Sequence, residues 1–170
     1  MGQINSFIRG VDNINEWIGE KSSYLILVMI ASILYETFVR YLFNSPTVWV
    51  HETGSFIFGV SLMLGGAYTF LHRGHVNVDI VHNRFSPRRK AILDIISSIL
   101  LFSFASVLIW KGSDFAWNSL CSFETSSTVW APPIYPIKLS IPIGGALLFL
   151  QGLSKLLKDI SIAIKGGEST

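Results

Sequence analysis

The sequence predicts an all-α integral membrane protein, with four transmembrane helices, an N-terminal amphipathic surface helix and both termini in the cytoplasm. Three observations lead there. Half of the 170 residues are hydrophobic and only 14% are Asp, Glu, Lys or Arg, against roughly 25% in soluble proteins. Four apolar stretches reach the roughly 20 residues that a helix needs to cross hydrocarbon. Lys and Arg gather in alternate connecting segments. The spans leave almost no room for a soluble domain, so residues 1–170 read as a single membrane domain.

Residues 3–20 come first. Ile4, Phe7, Ile8, Val11, Ile14 and Ile18 recur at helical spacing, while Asn5, Arg9, Asp12, Asn13, Glu16 and Glu20 fill the other side. This pattern predicts an interfacial helix lying on the inner membrane surface. A helix packed on the cytoplasmic face of a partner would show the same pattern.

The first apolar run, residues 22–43, has no small-x-small cleavage site after it, so it is expected to stay as a span rather than act as a signal peptide. It carries Glu36 and Arg40, one helical turn apart and able to pair. Each such charge near mid-membrane costs about 2.5–3.5 kcal/mol, so it is kept only when paired or functional.

A short turn around Pro46 leads to the second span, residues 50–71. Trp49 suits the outer aromatic belt. Glu52 falls in the first turn of the second helix, where the helix dipole favours a carboxylate. The turn register puts Arg40 and Glu52 at similar depth, which predicts an Arg40–Glu52 contact with Glu36 as second partner. Gly54, Gly59, Gly65 and Gly66, with Ser55-to-Gly59 and Ser61-to-Gly65 at small-xxx-small spacing, suit close helix contact, expected within this chain.

Ser86-Pro87 provides a start for the third helix. Running to about Asn118, it would be about 48 Å long, more than the hydrocarbon thickness. Residues 91–110 are its expected crossing. The fourth span covers residues 134–157; Pro142 is expected to kink it, and Gly144 and Gly145 permit close packing.

The N-terminal segment, the loop between spans two and three and the C-terminal tail hold nearly all the cations outside the spans. Both termini and the middle loop are therefore expected inside. A net charge of +2 without a basic-aromatic run excludes nucleic acid as a partner. One cysteine, Cys121, provides neither a disulfide framework nor a thiolate cluster. His72, His75, Asp79 and His82 include metal-ligand types, but Gly74 and Val76-Asn77-Val78 argue against the unbroken helix that would gather them. Haem would need axial ligands inside the bundle, and spans one, three and four lack histidine. No catalytic residue, cofactor or metal is expected. Glu36 leaves one alternative, a self-sufficient four-helix proton-coupled exporter. An exchanger needs a carboxylate that substrate can neutralise, whereas Arg40 already neutralises this one.

Several motifs occur in order: Tyr35-Glu36 to Arg40-Tyr41, Phe43-Asn44-Ser45-Pro46, Trp49-Val50-His51-Glu52, Gly65-Gly66-Ala67-Tyr68, His72-Arg73-Gly74-His75-Val76-Asn77-Val78-Asp79, Ser86-Pro87-Arg88-Arg89 and Pro136 to Gly144. Together they resemble the small membrane subunit (Q, DctQ-like) of tripartite ATP-independent periplasmic (TRAP) transporters. His51 departs from the family pattern, in which many relatives carry a second acid beside Glu52. The resemblance implies a bacterial inner-membrane scaffold subunit of a sodium-coupled organic-acid importer. It would form a 1:1 heterodimer with a large elevator-type membrane subunit and serve a periplasmic substrate-binding protein. Substrate and sodium residues belong to the large subunit. The expected structural and interface residues here are Glu36, Arg40, Trp49, Glu52, His75, Asp79, Pro142 and Gly144, with partner-facing surfaces on spans one and two.

Overall fold

Long apolar runs without internal proline condense into long helices because helix formation satisfies every backbone polar group that lipid cannot. The computed structural model describes residues 2–72 and 87–165, with side chains at 6–72 and 97–160. Its helices are α1 (Gly2–Phe43), α2 (Trp49–Leu71), α3 (Pro87–Cys121), the single turn α4 (Tyr135–Lys138) and α5 (Ser140–Lys165). Four segments are long and apolar enough to cross a membrane: Ser6–Phe43, Trp49–Leu71, Ser97–Cys121 and Tyr135–Ile160. Among the described residues there is no strand, only an isolated bridge between Thr125 and Pro133.

The first helix differs from expectation. No break separates the amphipathic segment from the span, and α1 runs 42 residues, about 63 Å at 1.5 Å per residue. No proline interrupts it, and Gly19 is used for packing: a Cβ there would lie 2.2 Å from the Tyr68 ring. The face turned inward carries Ile8, Val11, Asn15, Gly19 and Ser22, a helical i, i+3, i+4 spacing. Phe7, Ile14 and Trp17 of the same segment remain exposed. Helix α1 ends at Asn44, which takes a left-handed conformation at φ 49°, a common way to terminate a helix.

In space the order is α1, α2, α5, α3. Helix α5 is the shared centre because its glycines face two ways. A Cβ on Gly144 would sit 2.5 Å from the Met63 carbonyl oxygen of α2, and one on Gly145 would sit 3.1 Å from Leu108 Cβ of α3. Further along, a Cβ on Gly152 would lie 2.5 Å from Leu101. Adjacent glycines thus let two helices approach one axis from different sides.

Pro142 acts one turn earlier than a kink at its own position would. Helix α4 gives way to α5 at Leu139, where the backbone stays right-handed helical at φ −63° and ψ −24° but the helical hydrogen bonds are long, and Pro142 sits in the first turn of α5. Its ring opposes the carbonyl four residues back, that of Lys138, and the first turn needs no backbone donor there. The small residues of α2 also depart from expectation. A Cβ on Gly54 would meet Met29 at 3.9 Å, but one on Gly59, Gly65 or Gly66 would find none of the described residues within 4 Å. Helix α2 turns Val50, Gly54, Met63 and Ala67 toward its neighbours instead.

Candidate functional site

Three features concentrate polarity or open space in this bundle. The first is at the α1–α2 hairpin. Arg40 Nη2 and Nε donate to Glu36 Oε1 at 2.6 and 3.0 Å, as the one-turn spacing requires. The other carboxylate oxygen, Oε2, accepts from the Thr47 backbone N–H at 2.9 Å and from the Thr47 hydroxyl. Glu36 is 13% exposed and Arg40 58%, so the carboxylate is sheltered while the guanidinium reaches outward along its stem.

The expected Arg40–Glu52 contact is absent. Glu52 Oε2 instead accepts from Thr128 Oγ1 at 2.7 Å. The loop between the helices folds back so that Thr47 bonds Glu36, and Glu52, which register alone would set beside Arg40, bonds the later connection at Thr128. Trp49 packs against Tyr35 with ring centroids 6.0 Å apart, adding an aromatic contact to the same hairpin.

The connection after α3 is also ordered at this end. Ser126 N–H donates to Pro132 O at 2.9 Å and Ile134 N–H to Glu124 O at 2.9 Å. Lys138 Nζ pairs with Glu124 and lies 3.9 Å from the Phe115 ring centroid. The hydrogen bond from Lys138 holds the Glu124 carboxyl below the usual glutamate range.

The second feature joins the two ends of the chain, and sequence reasoning missed it. Asn15 Nδ2 donates to Gln151 Oε1 at 2.6 Å; Gln151 Nε2 donates to Asp12 Oδ1 at 2.9 Å. Ser154 Oγ donates to the same oxygen at 3.1 Å, and Lys158 Nζ to Asp12 Oδ2 at 2.7 Å. Asn15, Gln151 and Ser154 are 1%, 2% and 0% exposed. On the other flank of α1, His72 Nε2 lies 4.0 Å from Glu16 Oε1, and its ring sits tilted at 59° against Tyr68 with centroids 4.4 Å apart. A detectable signal existed: Gln151 and Ser154 are polar within a span, at the spacing of one helix face, as are Asp12 and Asn15. His75 and Asp79 lie outside the described residues.

The third feature is a groove of about 830 Å³ between α2 and α3, floored by α5 and bordered by Gly19, Ser22, Ser23 and Ile26 of α1. One wall is a single face of α2, formed by Phe58, Ser61, Leu62, Gly65, Gly66 and Thr69. The other is the Leu101, Phe104 and Leu108 face of α3. Each set follows helical spacing. These features can bind helices together and offer surface to another molecule; they do not form a constellation for catalysis.

The profile of the family described as "Tripartite ATP-independent periplasmic transporters, DctQ component" matches residues 29–161. The chain is also similar to the sialic acid TRAP transporter small permease protein SiaQ of Vibrio cholerae. Identity is 22% over 151 residues, covering 86% of this chain and 81% of that protein. A match running from the middle of α1 almost to the end of α5 takes in all four apolar helices, and the chain belongs to the DctQ component family, a multi-pass bacterial inner-membrane subunit of a TRAP transporter and not an enzyme.

Proposed function

We propose that this subunit is a fixed scaffold in a sodium-coupled, binding-protein-dependent importer of a small organic acid anion. It forms a 1:1 heterodimer with the large membrane subunit and braces that subunit while its transport domain moves as an elevator. Both termini lie on the cytoplasmic side, as the distribution of Lys and Arg indicates. The named substrate of the Vibrio cholerae relative is sialic acid; only the class, an organic acid, is extended to this chain.

The observation that carries the reading is the state of Glu36. Both carboxylate oxygens are occupied, one by Arg40 and the other by Thr47. A carboxylate held this way braces a hairpin and has no reason to exchange a proton with cargo. That favours a scaffold over a self-sufficient exporter.

The test is reconstitution. The large subunit, this chain and the binding protein are expected to give sodium-dependent uptake together, and this chain alone none. Glu36→Gln in the assembled transporter should leave uptake within about twofold, since a scaffold needs the fold and not the proton. Proton exchange by the isolated chain in liposomes would overturn the proposal.

A further inference from the structure

We propose that the cleft at the α1–α2 hairpin binds the phosphodiester of a membrane phospholipid, with Arg40 as its main contact and Tyr41 and His51 beside it. The inference goes beyond the scaffold reading and does not depend on it.

The cleft holds about 320 Å³, within the range of roughly 300–1,000 Å³ usual for small-molecule sites. One wall is a single face of α1, with Ile33, Glu36, Arg40 and Tyr41; the other is the start of α2, with Val50 and His51. Arg40 supplies the first argument. A guanidinium carries five N–H donors in a rigid fork. Glu36 Oε1 takes one from Nε and one from Nη2, which uses a single edge of that fork. The Nη1–Nη2 edge has no partner among the described residues. Two parallel N–H groups on one edge match two oxygens of a phosphate. Glu36 is itself fixed by Thr47 and holds the fork in place, so little side-chain freedom is lost when a ligand arrives.

The neighbours supply the second. Tyr41 and His51 line the same cleft, and neither side chain bonds a described residue. A tyrosine hydroxyl and an imidazole N–H are further donors to phosphate oxygens. Glu36 is the acid of the cleft; its charge is offset by Arg40 and both its oxygens are occupied.

The surface around the cleft points to a lipid rather than a free ion. Phe38, Leu42 and Phe43 flank Arg40 and are exposed, so this end of α1 meets lipid and its cation reaches to headgroup depth. Ile33, in the cleft, continues along α1 through Ile30 and Ile26, all exposed and on one helix face. They give an acyl chain a track from the phosphate toward the middle of the membrane. An inorganic anion has no use for that track.

The experiment titrates the full chain in detergent with dioleoylphosphatidylglycerol and follows it by native mass spectrometry. One tightly held lipid is expected, and dioleoylglycerol, with the same chains and no phosphate, should bind about tenfold more weakly. His51→Glu puts an acid into the cleft at an exposed side chain. It should leave the melting temperature nearly unchanged and weaken binding of the phospholipid about tenfold. Arg40→Gln with Glu36→Gln removes the fork without stranding a charge, and a similar loss is expected. Equal binding of dioleoylglycerol, or wild-type affinity in either folded variant, overturns the proposal. Inorganic phosphate that displaces the lipid at equal concentration overturns the assignment to lipid.

Discussion

Asn15 and Gln151 lie 136 positions apart, yet their side-chain amides meet at 2.6 Å in a place almost closed to solvent. The bond ties the start of α1 to the middle of α5. Removing the Gln151 amide leaves Asn15 without its acceptor and takes one donor from Asp12. Gln151→Leu should therefore destabilise the chain by about 1–3 kcal/mol. Asn15→Leu/Gln151→Leu should cost less than the two single changes summed, because the pair is then replaced by apolar contact. Thermal unfolding of the four proteins in one detergent checks this; strict additivity would mean that the two amides do not interact.

Gly144 and Gly66 should respond oppositely to the same change. At Gly144 a methyl group meets the Met63 backbone at 2.5 Å, and backbone does not yield as a flexible side chain does. Gly144→Ala is expected to lower stability by about 1–3 kcal/mol through overpacking. Gly66→Ala meets none of the described residues within 4 Å and gains about 0.5–1 kcal/mol from reduced backbone entropy in a helix. Melting temperatures of the purified chain report both.

Arg40→Met leaves the sheltered Glu36 carboxylate with Thr47 but without its cation. That change should destabilise more than Arg40→Met combined with Glu36→Gln, since the stranded charge is the larger cost. The comparison is a double-mutant cycle on unfolding in detergent. A double variant weaker than Arg40→Met alone would show that the pair is not a neutralising unit.

The Glu124–Lys138 pair gives the connection after α3 a pH dependence. Its folded carboxyl titrates below the ordinary range because of the Lys138 hydrogen bond. The pair's stabilisation is therefore complete above the unfolded value of about 4.3 and is lost as pH falls through the lower, folded value. Backbone exchange at Ser126 and Ile134, corrected for intrinsic rates, should rise only below about pH 4.3. Lys138→Met should show the same protection above and below that point.

Much of this architecture is legible in sequence because lipid imposes it locally. Four runs long enough to cross hydrocarbon appear as four helices, and Glu36–Arg40 follows from helical spacing alone. The rest depends on which side of a helix meets which neighbour. Glu52 and Thr128 come together only after the 122–134 connection folds over the hairpin end. Residues 3–20 read as a lipid-surface helix because apolar side chains alternate with charges. Asp12 and Asn15 instead turn inward to α5, where Gln151, Ser154 and Lys158 are their partners; the sequence marks the polar face on each helix but not that the two faces meet. Pro142 is legible as a disruption, but its effect falls at Leu139 because the clash lies one turn upstream.

Helix α1 reaches from the Asp12 clasp to the Glu36 hairpin in one uninterrupted stretch. A continuous helix without proline has no sharp joint of that origin, although Ser22 and Ser23 donate to the Gly19 and Glu20 carbonyls near its middle, where a helix curves gently. The two attachments thus sit on one rod of backbone, so the spacing between clasp and hairpin is set by helix length and not by a linker.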